Sequence, residues 1–243
     1  KYADEILTVS EESKKKILSA FGGNDNGNDK GNENGNDDDK KKFNEKIRIV
    51  TWPTDEKPGN QTNLKDKKDF ILFVGRFVDY KNPSHVLHVL KEIKRVWPRF
   101  QAVFVASRSD KKTMTEFTDT RYKLSLTARD VVIEESISND KLQAYYKAAK
   151  LLVHPSFVEG QGMVIPEALS WKTPVIAYDL PAYNAFASEK GLIKIPKSKG
   201  YKGLAEACLK VLRNYGEYFG KTNEVSSTNK KEFIEVVKKV VLE

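Results

Sequence analysis

A single cysteine, Cys208, stands in 243 residues, so no internal disulfide framework is available. It lies in Leu204-Ala205-Glu206-Ala207-Cys208-Leu209, an apolar helical pattern that assigns it to packing rather than to nucleophilic chemistry. Histidine is scarce too. His85, His88 and His154 show no metal-ligand spacing with other ligands, so no metal site is expected. No apolar run nears the ~20 residues that a membrane-spanning helix needs. Aromatic residues do not interleave with a basic strip, the pattern expected of a nucleic-acid reader, so nucleic acid is not expected as a partner.

What the chain does have is positive charge and enough apolar content for a core. The net charge is +8 and hydrophobic residues make up 39%. Residues 22–40 contribute −4, which leaves +12 on the rest and favours an anionic partner such as a nucleotide or an acidic lipid surface. Residues 21–46 are mostly Gly, Asn, Asp and Lys and read as a low-complexity, disordered insertion. Asp37-Asp38-Asp39 formally contains an Asp-x-Asp pattern, but no strand precedes it, so these acids read as solvated charge.

Elsewhere, short apolar runs alternate with amphipathic segments. Residues 6–9 and Ile47-Arg48-Ile49-Val50 read as short strands. Phe70-Ile71-Leu72-Phe73-Val74, Ala102-Val103-Phe104-Val105-Ala106, Val131-Val132-Ile133, Leu151-Leu152-Val153, Val175 to Tyr178 and Gly191 to Ile195 read as buried strands. Asn82 is the expected N-cap of a helix with Pro83 at its first position, and Ser138-Asn139-Asp140 caps another. Residues 114–126 read as helical, with further helices near 201–214 and 230–241. This alternation implies βαβ units, hence an α/β domain with a Rossmann-like parallel sheet covered by helices on both faces.

The chemistry concentrates after Leu151-Leu152-Val153, in His154-Pro155-Ser156-Phe157-Val158-Glu159-Gly160-Gln161-Gly162-Met163-Val164-Ile165-Pro166-Glu167. Pro155 and Ser156 end the strand. Gly160 and Gly162 bracket a tight turn where backbone can approach a ligand, and a helix begins near Met163. Strand, glycine turn and helix start together aim backbone N–H groups at an anion. Two carboxylates, Glu159 and Glu167, flank the turn. Spacing alone is weak support, since Glu224/Glu232 and Glu235/Glu243 have it too. A second loop, after Phe70 to Val74, carries Gly75, Arg76 and Lys81. Ligands of such sheets bind outside the carboxyl ends of the strands, where both loops emerge.

The two loops together resemble the motifs of the retaining GT-B glycosyltransferases of family 4: Val-Gly-Arg with a following Lys, and Glu-x7-Glu with its Pro-Ser and Glu-Gly-x-Gly. The resemblance runs over roughly residues 47–200. It implies a nucleotide-sugar-binding domain over 47–243, the C-terminal half of a GT-B fold. It also implies that residues 1–20 are the tail end of an N-terminal domain and hinge, with that domain missing here. By the same resemblance, Gly75, Arg76, Lys81, Gly160, Gln161, Gly162 and Met163 take the donor diphosphate. Glu159 faces the donor sugar as the catalytic residue, Glu167 receives the ribose hydroxyls, and Ser107, Ile133 and Ile137 lie near the nucleobase. The implied donor is a nucleoside diphosphate-sugar, with no metal or other cofactor. The implied acceptor is a glycan or a lipid-linked glycan. The implied setting is the cytoplasm, including peripheral contact with the cytosolic face of a membrane.

The chain departs from the family pattern at Ser107-Arg108-Ser109, Glu134-Glu135-Ser136 and Leu180-Pro181-Ala182-Tyr183-Asn184. Those departures leave open the base, and also a non-catalytic nucleotide- or sugar-binding module of the same fold.

Overall fold

In the computed structural model the residues described are 6–8, 14–15, 17–19, 37–49, 62–186 and 191–221. The chain divides into two units, residues 1–55 with 227–243 and residues 56–226. In the first, strand β1 (Ile6–Thr8) pairs in parallel with β2 (Ile47–Ile49). Between them in sequence lies helix α1 (Asp37–Glu45). This corrects the expectation of disorder across 21–46 for its last third. The sequence supplies the reason: three aspartates open the helix and Lys40 to Lys42 follow toward its end, the charge order that the peptide dipoles favour. Residues 21–36 lie outside the described residues, as does the expected helix over 230–241.

The second unit runs β3 (Lys68–Phe77), α2 (Pro83–Lys94), β4 (Gln101–Ser109), α3 (Lys111–Lys123), β5 (Val131–Glu135), α4 (Asn139–Ala148), β6 (Ala149–His154), α5 (Val164–Ser170), β7 (Val175–Tyr178), β8 (Leu192–Ile195), α6 (Gly200–Arg213) and α7 (Tyr215–Lys221). The strands lie in the order β5-β4-β3-β6-β7-β8, all parallel. The chain starts in the middle at β3, builds outward to β5, then returns to the other side of β3. The order therefore reverses between β3 and β6, and the crevice beyond their carboxyl ends is the switch point where such sheets bind ligands.

Alternate residues of each strand feed two cores. Ile71, Phe73, Phe77 and Phe104 face α2, α3 and α6, packing on Leu87, Leu90, Phe117 and Leu204. Phe70, Leu72 and Leu152 face α4 and α5, packing on Tyr146, Ile165 and Leu169. Both faces are buried, which is why the central strands read as continuous apolar runs. Cys208 is fully buried in the first core, and burial pushes its thiol well above the ordinary range.

Ser138 caps α4 as expected, its hydroxyl accepting from Lys141 N. Asp110 caps α3 by accepting from Thr113 N at 2.8 Å. Asn82 precedes α2, but its side chain makes no cap bond and its φ is 49°. Its amide nitrogen donates instead to the Pro155 carbonyl at 2.9 Å, so this residue joins two loops.

Candidate functional site

The two loops at the switch point are tied together by three kinds of bond. Phe157 N donates to the Tyr80 carbonyl at 2.8 Å, backbone to backbone. Asn82 Nδ2 reaches the Pro155 carbonyl. Lys81 Nζ donates to Glu159 Oε1 in an ion pair whose side chains are 13% and 10% exposed. Lys81 sits at the end of a single 3-10 turn, Asp79–Lys81.

Glu159 has a second partner. His154, the last residue of β6, is buried, and its Nε2 lies 2.6 Å from the same Oε1. Burial by itself pushes the Glu159 carboxyl up, but His154 and then Lys81 outweigh it and hold the group at about 2. An ionised carboxylate can only accept, so His154 must carry its proton on Nε2 to make this bond. Both partners use Oε1.

Arg76, near the carboxyl end of β3, is exposed. Its guanidinium donates to the Tyr80 hydroxyl and lies 5.8 Å from that ring's centre. Lys81 Nζ lies 5.8 Å from the same centre. Tyr80 thus stands against both cations, where ring–cation attraction helps hold two like charges near one another.

On the other loop, Gly162 has φ +73°. An added Cβ there would come within 2.6 Å of the Tyr183 ring. Gln161 is buried and Gly160 exposed. Met163 precedes α5, which has seven residues, so any dipole contribution comes from a short helix. Glu167, in the first turn of α5, accepts from the Tyr146 hydroxyl at 2.6 Å. Burial, reinforced by the Glu167 charge, raises the Tyr146 phenol well above its ordinary range.

The residues expected near a nucleobase are less gathered. Gly75 pairs with Ala106, so Ser107 follows at the carboxyl end of β4. Ile133 pairs with Phe104 and is exposed. Ile137 packs, half-buried, against the second core. Glu134 accepts from Lys141 Nζ and Tyr145 Oη, each at 2.7 Å, and these bonds hold its carboxyl below the usual range. That carboxylate therefore anchors α4. Sequence reading missed Tyr80, Tyr146 and Tyr183, and gave His154 no role. It gave His85 no role either. His85 in fact bonds the Tyr178 hydroxyl at 2.9 Å and packs edge-on against Phe157 of the loop.

A family model described as glycosyl transferases group 1 matches residues 55–232. The chain belongs to that family. Among curated relatives, O-antigen chain mannosyltransferase RfbU of Salmonella typhimurium is 28% identical over 134 residues, covering 54% of this chain and 36% of the relative. The chain thus spans about a third of that relative's length. Two solved structures share the fold. The C-terminal domain of the group 1 protein LpcC from Francisella tularensis superposes with a TM-score of 0.57 at 17% identity, covering 79% of this chain and 96% of that one. Anabaena Alr3699/HepE, solved with UDP and glucose, has a TM-score of 0.69 at 15% identity, covering 99% and 61%. The six-stranded parallel sheet with helices on both faces is thus the GT-B, Rossmann-like arrangement of group 1 glycosyltransferases.

Proposed function

We propose that residues 56–226 are the donor-binding half of a retaining glycosyltransferase that moves a sugar from a nucleoside diphosphate-sugar to a glycan or lipid-linked acceptor. The observation that carries this reading is the Lys81–Glu159 pair joining two loops at the switch point, with Arg76 near the carboxyl end of β3, five residues before Lys81. When a glycosidic bond to a diphosphate breaks, charge builds on the β-phosphate oxygens. Arg76 offers a planar fork to two of them and Lys81 a point charge. Amides of the Gly160 to Met163 bend add neutral donors. Such pre-placed groups stabilise developing charge by several kcal/mol in a water-poor cleft. They do so without a metal ion. Glu167, oriented by Tyr146, receives the ribose hydroxyls, and Glu159 faces the donor sugar. The structural neighbour solved with UDP and glucose supports the choice of donor class. An N-terminal domain of the same protein, carrying the acceptor side, completes the enzyme.

The test is calorimetry of this chain with UDP, GDP and ADP. At least one should bind, and Arg76→Ala should weaken it by about 1.5–3 kcal/mol, the worth of a charge-assisted bond, while leaving the parent nucleoside nearly unaffected. No heat with any of the three would sink the assignment.

A further inference from the structure

The lysine assigned to the donor phosphates is already occupied. Lys81 Nζ is bonded to Glu159 Oε1, and both side chains are nearly buried. A phosphate oxygen that recruits Lys81 must displace that carboxylate or share the ammonium with it. Glu159, meanwhile, does not depend on Lys81 alone, because His154 holds the same oxygen from the floor of the crevice at 2.6 Å.

We propose that Glu159 is a built-in competitor for the donor diphosphate, a latch that keeps Lys81 folded onto the crevice until a diphosphate takes it, with His154 as the positioning residue that retains the carboxylate afterwards. The inference rests on the function proposed above and adds a step to it. Before the donor arrives, Glu159 neutralises Lys81. As the diphosphate enters, Lys81 exchanges one anion for another by rotating about its own side chain. Glu159 stays fixed through His154, now released from its cation and placed for the sugar. Lys81 has an anionic partner before and after the exchange, so neither state leaves an unpaired buried ammonium, and the carboxylate keeps its hydrogen bond to His154. Discrimination follows as well. A mononucleotide or a lone phosphate, with fewer charges, competes less well against the carboxylate than a diphosphate does.

The latch makes an unusual demand on sign. Removing a carboxylate assigned to the sugar should tighten diphosphate binding. The probe is inorganic pyrophosphate, which carries no ribose or sugar, titrated into the 243-residue chain by calorimetry. Glu159→Gln should raise its affinity on the order of tenfold, because Lys81 no longer has to be taken from a competitor. Glu167→Gln removes an equal charge near the same bend but not from Lys81, and should change the affinity less than about twofold. Lys81→Met combined with Glu159→Gln should lose the gain, which makes the effect a coupling between those two residues. Far-UV circular dichroism of each variant confirms that it is folded, and the less conservative Glu159→Ala should show the same direction should the glutamine variant prove unstable.

The latch is overturned if Glu159→Gln binds pyrophosphate no tighter than wild type, if Glu167→Gln gains as much, or if the gain survives in the Lys81→Met background. These outcomes differ from failure of the proposed function, in which neither wild type nor any variant binds a nucleoside diphosphate or pyrophosphate. That result would remove both.

Discussion

Tyr146 places its hydroxyl 2.6 Å from Glu167 Oε2 while its ring is completely buried in the second core. The phenol is held as a donor by its surroundings: burial first, and then the Glu167 charge, make its ionised form unfavourable. It therefore fixes one oxygen of the carboxylate and leaves the other oxygen oriented. Tyr146→Phe keeps the ring and removes only that bond. On the reading of Glu167 as the ribose acceptor, the variant should weaken a nucleoside diphosphate by about 0.5–1.5 kcal/mol, a few-fold in dissociation constant. Pyrophosphate, which has no ribose, should bind as tightly as it does to wild type. Calorimetry with both ligands checks this, and equal weakening of the two would mean that Tyr146 supports the loop as a whole rather than the ribose contact. His154 shows the same logic on the other carboxylate. Its ring is buried, its Nε2 faces Glu159, and together with Lys81 it keeps that carboxyl ionised far below neutral pH.

Among the elements, the bend after β6 is the one most constrained by geometry. Gly162 is in the left-handed region at φ +73°, and the space where a Cβ would stand is filled by the Tyr183 ring at 2.6 Å. Tyr183 is fully buried, so its ring has no open direction in which to retreat. Gly162→Ala should therefore cost both the backbone strain and a shift of Tyr183, about 1–3 kcal/mol. Because Tyr183 also packs 6.1 Å from the His154 ring, that shift should reach Glu159. The expected result is a lowered urea midpoint together with weaker nucleoside diphosphate binding, and an unchanged midpoint would show that the bend adapts. How much of this was legible varied with distance along the chain. Strands were readable because burial on both faces leaves apolar runs, and the two loops were readable because glycine, proline and charge cluster locally. Asn82 and Tyr146 were misjudged or passed over for one shared reason. Asn82 looked like a cap from its neighbours alone, yet its amide is used by Pro155, 73 positions away. Tyr146 was passed over, and its hydroxyl's partner is 21 positions on. Local periodicity records which face is buried, and it does not record which polar atom across the fold needs a donor. Helix α1 escaped for a different reason: a run whose one apolar residue is Phe43 looks disordered by composition, while its charge order favours a helix.

At the scale of the whole second unit, the end of the sheet opposite the candidate site is held by a buried lysine. Lys67, just before β3, is 8% exposed. Its Nζ donates to the Trp171 carbonyl at 3.0 Å and to Thr173 Oγ1, which itself donates to the Tyr146 carbonyl at 2.6 Å. These bonds fasten the start of the central strand to the turn between α5 and β7. Burial lowers the Lys67 amine to about 7, with Asp66 opposing that shift and Lys147 adding to it. In the unfolded chain the amine titrates near 10.5. Between those values the unfolded chain binds a proton that the folded chain does not, so stability must rise with pH across the interval, by up to about 1.4 kcal/mol per pH unit. Cys208 and the buried tyrosines act in the opposite sense once the unfolded chain begins to release their protons, because burial raises all of them. The clean window is therefore pH 7 to about 9. Lys67→Met keeps most of the stem's packing and removes the titration. Urea unfolding of both proteins at pH 7, 8 and 9 should show wild type gaining on the variant at each step, whatever constant offset the lost hydrogen bonds impose. A difference independent of pH would mean that the amine stays charged in the fold, with its two oxygen partners and the Phe219 ring 6.0 Å away outweighing the loss of water.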